Sequence, residues 1–319
     1  MFLLVSITLE RGTCMVVTAL MVKELRTLSG AGMSACKDAL TEAEGDLERA
    51  GEILREKGLA AAAKKAGRVA AEGLVHAFVS EDRKSGVVVE VNSETDFVAK
   101  NQDFIGYVHQ VAKLALKSKA EDIDSFMEKE WPTGGTVKEA LSQKIATIGE
   151  NIGIRRFIHY TVEGDGAIIQ YVHGGGRVAV LLELGSAVVN EELIEAGRNL
   201  CMQIAAMSPL FVARENVPND FIAKEREVLM QQAINEGRPA NIAEKVVEGR
   251  LKKSLVSMCL LEQEYVKDGD MSCLQYIESV GKSIDSKLSV KRFVRYETGE
   301  GIEKKAENFA EEVSKAMKS

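Results

Sequence analysis

The apolar positions of this chain follow a helical period up to about residue 70 and an alternating one beyond it. In residues 16–58, Leu20, Val22, Leu25 and Leu28 lie close to helical spacing, and Gly30 and Gly32 then interrupt the pattern. Ser34 is placed to cap a second run, ACKDALTEA, and Gly45 with Asp46 resets the chain for a third, LERAGEILREK, which Gly58 is expected to end. Three such helices make a module of about forty residues, small for an independent core but feasible. The alanine- and lysine-rich LAAAAKKAGRVAAEG follows, so residues 59–69 read as a helical or flexible connector, with a boundary near Lys64 to Gly67.

Past that boundary, GLVHAFVS and SGVVVEVNS read as two strands of a hairpin joined by the turn-like EDRKSG, and DFIGYVHQVAKLALKSK returns to helical spacing. Roughly ninety residues later the order recurs: RRFIHYTV, AIIQYVHGGG and RVAVLLELGS predict a meander, and EELIEAGRNLCMQIAAM a helix. Two related halves, 70–160 and 161–289, are the simplest account. Gly174, Gly175 and Gly176 fall between two strands, where a hairpin turn needs positive φ. Within the second half, residues 221–253 form two amphipathic runs around Gly237, Arg238 and Pro239, which predicts an antiparallel helical hairpin. Residues 290–319 supply a last strand and a final helix. The predicted fold class is α+β, with helices packed on small antiparallel sheets.

At the end of the second predicted strand stands SETDFVAKNQDF, residues 93–104, where Phe97 follows Glu94, Thr95 and Asp96 at the mouth of a helix. Helix mouths are usually wet. The ring either packs home as a staple, with Thr95 or Asp96 as the cap, or fills a pocket in a partner; a carboxylate such as Asp96 is favoured there in any case by the helix dipole. Periodicity leaves both readings open.

Composition narrows the field. The 319 residues are 45% hydrophobic and 28% charged, ordinary for a soluble globular protein, and the net charge of -7 repels a nucleic-acid backbone. Direct nucleic-acid binding is not expected. Five cysteines, Cys14, Cys36, Cys201, Cys259 and Cys273, never form a C-x-x-C pair and suggest neither a disulfide framework nor a thiolate metal site, which fits a reducing cytoplasm. The apolar opening MFLLVSITL lacks a basic leader and is too short to span a membrane, so residues 1–15 read as an extension outside the fold, with Met15 an alternative start.

Catalytic patterns are missing or incomplete. GKS at Gly281 to Ser283 has Tyr276 where a phosphate-binding loop needs its first glycine. The HGGG at His173 to Gly176 could serve an oxyanion hole, but no G-x-S-x-G elbow accompanies it, and a glycine-rich turn explains it better. His76, His109, His159 and His173 lack the spacing that puts two imidazoles on one metal. No cofactor or metal is expected, and the chain reads as an interaction protein.

Seven segments, in order, resemble the bacterial elongation factor Ts family: VKELRTLSGAGMSACKDAL, AAKKAGRVAAEGLV, VNSETDFVAKN, IATIGENIGIRRF, QYVHGGGRVAVLLEL, IAEKVVEGRLKK and RFVRYETGEGIEK. That family comprises guanine-nucleotide exchange factors for the translational GTPase elongation factor Tu. The resemblance implies an N-terminal domain similar to ubiquitin-associated folds, a core of two pseudo-repeated subdomains, a helical hairpin and a C-terminal module. It implies an exchange factor without bond chemistry of its own, cytoplasmic, engaging elongation factor Tu in GDP-bound and nucleotide-free forms, and it leaves open a homodimer of heterodimers through the helical hairpin. Carried over residue by residue, Thr95, Asp96, Phe97 and Val98 would disturb the magnesium and phosphate end of the partner's nucleotide site, Phe97 entering between helices and Asp96 making polar contact beside it. His173 would touch the partner away from the nucleotide, against a bland reading as a strand-end histidine with local hydrogen bonds. Met33 would pack on the GTPase domain with Arg26 and Leu25 nearby, against internal packing, the better reading for Leu25. Ser34 and Ala35 replace a second methionine and an acidic residue frequent in the family, Ser93 replaces a frequent cysteine, and EKEWPTGGTV around Trp131 and Pro132 reads as a loop variation.

Overall fold

The computed structural model describes residues 17–303; the N-terminal extension and the expected final helix lie outside them. In chain order the elements begin with α1 (Ala19–Ser29), α2 (Met33–Glu42) and α3 (Leu47–Lys65), then β1 (Glu72–Val79), β2 (Ser85–Ser93), α4 (Asp96–Ala99) and α5 (Gln102–Ser118). The middle of the chain gives α6 (Ile123–Met127), α7 (Val137–Ile148), β3 (Ile152–Thr161), β4 (Ala167–His173), β5 (Val178–Gly185) and α8 (Glu191–Met207). Last come α9 (Asn219–Asn235), α10 (Ala240–Met258), β6 (Glu264–Tyr265), β7 (Asp268–Ser272), α11 (Cys273–Ser283) and β8 (Ser289–Glu297). The fold is α+β, and its contacts divide it into two compact units, Met1–Val69 with Asp124–Gly153, and Ala70–Ile123 with Ile154–Ser319.

In the first unit, α1 starts at Thr18, whose hydroxyl accepts from the Met21 amide (3.3 Å), and stops at Gly30 in the left-handed region (φ 67). Asp46 caps α3 through the amides of Glu48 and Arg49 (2.9 and 3.0 Å). Leu25, Cys36, Ala39, Leu40, Ile53 and Leu54 form the buried core of this module. Two sequence expectations are corrected here. Gly58 does not end α3; it is buried within it, where a Cβ would stand 3.2 Å from Gln143 Oε1 on α7, so it serves a close helix–helix approach and the helix runs on to Lys65. That same packing draws residues 124–153 into this unit instead of the 70–160 half assigned to them from the sequence. The Trp131 segment is a closed turn: the Trp131 amide donates to the Gly135 carbonyl (2.8 Å), the ring is buried, and Thr136 with Glu139 makes a capping box for α7.

The second unit holds two three-stranded antiparallel sheets, ordered β1-β2-β3 and β4-β5-β8. The predicted meander is therefore split: β3 pairs with the first sheet, and β8 completes the second. The reason is partly electrostatic, because Glu90 of β2 is fully buried and draws Arg155 and Arg156 of β3 to it (3.1 and 2.6 Å). Val75, Ala77 and Val88 pack from one sheet against Ile168, Ala179 and Leu181 of the other. On the far side of each sheet lies a helix, α5 against β1 and β2, α8 against β4 and β5, which gives the two halves matching form. The hairpin of α9 and α10 turns at Gly237 (φ 76) and Pro239 and closes over Ala233, Ala243 and Val247.

Candidate functional site

The TDFV segment is a single helical turn, α4, set between the end of β2 and the start of α5. Ser93 is buried and its hydroxyl donates to the Thr95 carbonyl (3.0 Å), which ties the turn to the strand. Thr95 is the N-cap, extended at φ -123, with its hydroxyl facing the Val98 amide at 3.5 Å. Downstream, the Asn101 amide closes on the Val98 carbonyl (2.9 Å) while the Asn101 side chain caps α5 at Asp103 (2.8 Å). Val98 is buried and anchors the turn inward.

Phe97 points the other way and is 80% exposed. The cap explains this. With Thr95 as N-cap, a hydrophobic staple would join Glu94 to Ala99, so Phe97 at the second helical position has no apolar partner within its own helix and the staple reading fails. Asp96 beside it accepts from Lys100 Nζ at 2.7 Å, one helical turn on, and that ammonium holds the Asp96 carboxyl below the usual carboxylate range.

His173 ends β4 and is exposed, with Nδ1 2.9 Å from the Tyr171 hydroxyl. Its carbonyl accepts from the Gly176 and Arg177 amides (3.2 and 3.0 Å), and Gly174, Gly175 and Gly176 all have positive φ (59, 66 and 101). Gly176 lies against the outer edge of β1, where its carbonyl accepts from the Val75 amide (2.8 Å) and a Cβ would stand 2.7 Å from Leu74 Cδ2. Since Glu72 pairs with Ser93, two residues before Thr95, both the TDFV turn and the glycine turn are fixed to β1, at attachment points (Glu72 and Val75) about 10 Å apart by strand rise.

In the first unit, Arg26 in the last turn of α1 is exposed, and Met33 at the start of α2 is 62% exposed. Leu25 is buried in the module's core, in line with internal packing. Leu20 and Leu28, two of the helically spaced apolar residues of α1, stand 73% and 61% exposed. Among the described residues no cluster of three or more histidine, cysteine or acidic side chains could hold a metal, and no helix is long and apolar enough to cross a membrane.

A family model described as "Elongation factor TS" matches residues 94–300, which begin one residue before Thr95. The chain is 51% identical over 301 residues to the elongation factor Ts of Clostridium botulinum (strain Eklund 17B / Type B), covering 94% of this chain and 99% of that one. It is 50% identical over 302 residues to the elongation factor Ts of Clostridioides difficile (strain 630), with 95% and 99% covered. The chain belongs to the elongation factor Ts family. The resemblance carried by the seven segments is thereby established across both halves. The sequence points to Thr95, Asp96, Phe97 and Val98 but not to Lys100 and Asn101, which hold the turn in shape; the D-x-x-x-K spacing and the asparagine before QDF were the available signals.

Proposed function

We propose that this chain binds elongation factor Tu carrying GDP and accelerates GDP release, so that GTP can rebind. The observation that carries the reading is Phe97: a ring exposed on a turn that is capped and tied at both ends. Burial of that ring between helices of the partner disturbs the magnesium and phosphate end of the nucleotide site, with Thr95, Asp96 and Val98 setting its direction. Met33 and Arg26 on the first unit and His173 on the second add contacts away from the nucleotide. The factor and GDP share a ternary complex, and each lowers the other's affinity by the same factor. Each tenfold weakening needs about 1.4 kcal/mol of differential binding, while one buried aromatic anchor contributes about 2 kcal/mol, so several contacts act together. No bond is made or broken by this chain, and its place is the cytoplasm.

The test is direct. Elongation factor Tu is loaded with fluorescent GDP, mixed with excess unlabelled nucleotide, and the release followed with and without this protein. A faster release supports the reading, and an unchanged rate removes it.

A further inference from the structure

Glu90 carries a buried charge whose surroundings extend well beyond its own sheet. Its carboxylate accepts from Arg156 Nε (2.6 Å), Arg155 Nη1 (3.1 Å), Asn92 Nδ2 (3.0 Å) and the Gly299 amide (2.8 Å). Burial would push this carboxyl up, but the Gly299 and Asn92 donors and the Arg156 guanidinium outweigh it and hold it low, so the group stays charged. Gly299 belongs to a turn, 297–301, that follows β8. The residue has φ 72 and sits so close that a Cβ would run into the Ala71 carbonyl, next to the first residue of β1.

From this turn, links run to both exposed elements. On one side Asn92, held by Glu90, also donates to the Glu72 carbonyl (3.1 Å); Glu72 pairs with Ser93, and Ser93 donates to Thr95 at the root of α4. On the other side the Thr298 hydroxyl donates to the Gly176 carbonyl (3.0 Å) and its amide to the Arg177 carbonyl (3.0 Å), the turn that carries His173. Arg156 closes the arrangement, lying over the Tyr296 ring at 4.0 Å and reaching Glu300 at 3.2 Å.

We infer that Glu90 is a positioning residue that clamps the 297–301 turn onto the roots of the TDFV and glycine turns, and so fixes the attitude of Phe97 relative to His173. The inference rests on the exchange reading of the TDFV turn for its functional consequence, but its structural content does not.

Amide hydrogen exchange and GDP release from elongation factor Tu are to be compared for the full chain and Glu90→Gln. Loss of a charged hydrogen-bond acceptor is expected to speed exchange about tenfold at Gly299 and through residues 94–101, with α8 and α11 unchanged. The maximal release rate is expected to fall about tenfold while the half-saturating concentration moves less than about twofold. A role confined to stability would instead raise the half-saturating concentration in proportion to the unfolded fraction and leave the maximal rate in place. Wild-type protection at 94–101, or a wild-type maximal rate, overturns the inference. If Glu90→Gln does not fold, Thr298→Val, which removes only the hydroxyl bond to Gly176, is read by amide exchange at residues 174–177 and 299 and by the maximal release rate, with effects of about fivefold expected and wild-type values overturning the inference. A wild-type protein that fails to accelerate release sinks the exchange reading alone, because the amide data still decide the clamp.

Discussion

Leaving the Phe97 ring in water forgoes about 2 kcal/mol of burial free energy, while its neighbour Val98, on the opposite side of the same turn, is buried. The two residues should therefore give opposite signatures. Phe97→Ala is expected to leave the urea midpoint unchanged, as for other exposed substitutions, whereas Val98→Ala should lower stability by about 1–2 kcal/mol. A destabilised Phe97→Ala would mean that the ring packs on its own fold. Thr95, Asp96, Phe97 and Val98 were legible in the sequence as a helix mouth, but the direction of the ring was not. Whether an aromatic side chain at the second helical position turns inward depends on where the cap falls, and Thr95 and Asp96 are both acceptable caps by residue type.

At the scale of elements, the sequence shows period well and pairing poorly. The hairpin of β1 and β2, the helices α5 and α8 and the antiparallel α9 and α10 all follow from local spacing and turn residues. The placement of β3 does not, since an alternating strand fits either sheet, and the ion pairs that join Arg155 and Arg156 of β3 to Glu90 span some 65 residues of sequence. Gly58 was misread for a related reason: a glycine in a helical run looks the same whether it ends the helix or admits a neighbour. Gly176 was read correctly as a turn residue, and its close contacts add a prediction. Gly176→Ala combines a left-handed backbone (φ 101) with a Cβ against Leu74, so a loss of about 2 kcal/mol or more is expected in thermal or urea unfolding. An unchanged midpoint would show that the glycine turn is free to move off β1.

For the whole molecule, the matching three-stranded sheets explain why a repeat was visible in the sequence, and why the unit formed by residues 124–153 with the N-terminal helices was not. That unit is joined through α3 and α7, and nothing local to either helix announces the other. Acid stability belongs to this scale too. His76 on β1 stacks on His109 of α5 at 4.2 Å, and burial, helped by that second imidazole, lowers its pKa to about 4. The unfolded chain thus binds the proton first as pH falls. Stability from this residue is full above about pH 6.5 and declines towards pH 4, by up to about 3 kcal/mol. Urea unfolding of wild type and His76→Phe from pH 7.5 to 4.5 should show a shallower decline in the variant; parallel curves would contradict it. In the proposed function one exposed ring couples this fold to nucleotide release. Stopped-flow release of fluorescent GDP from elongation factor Tu, with wild type and Phe97→Ala at saturating concentration, tests it most directly. Fast release is expected with wild type and a maximal rate lower by about tenfold or more with the variant; equal rates from the two proteins would contradict a coupling role for Phe97.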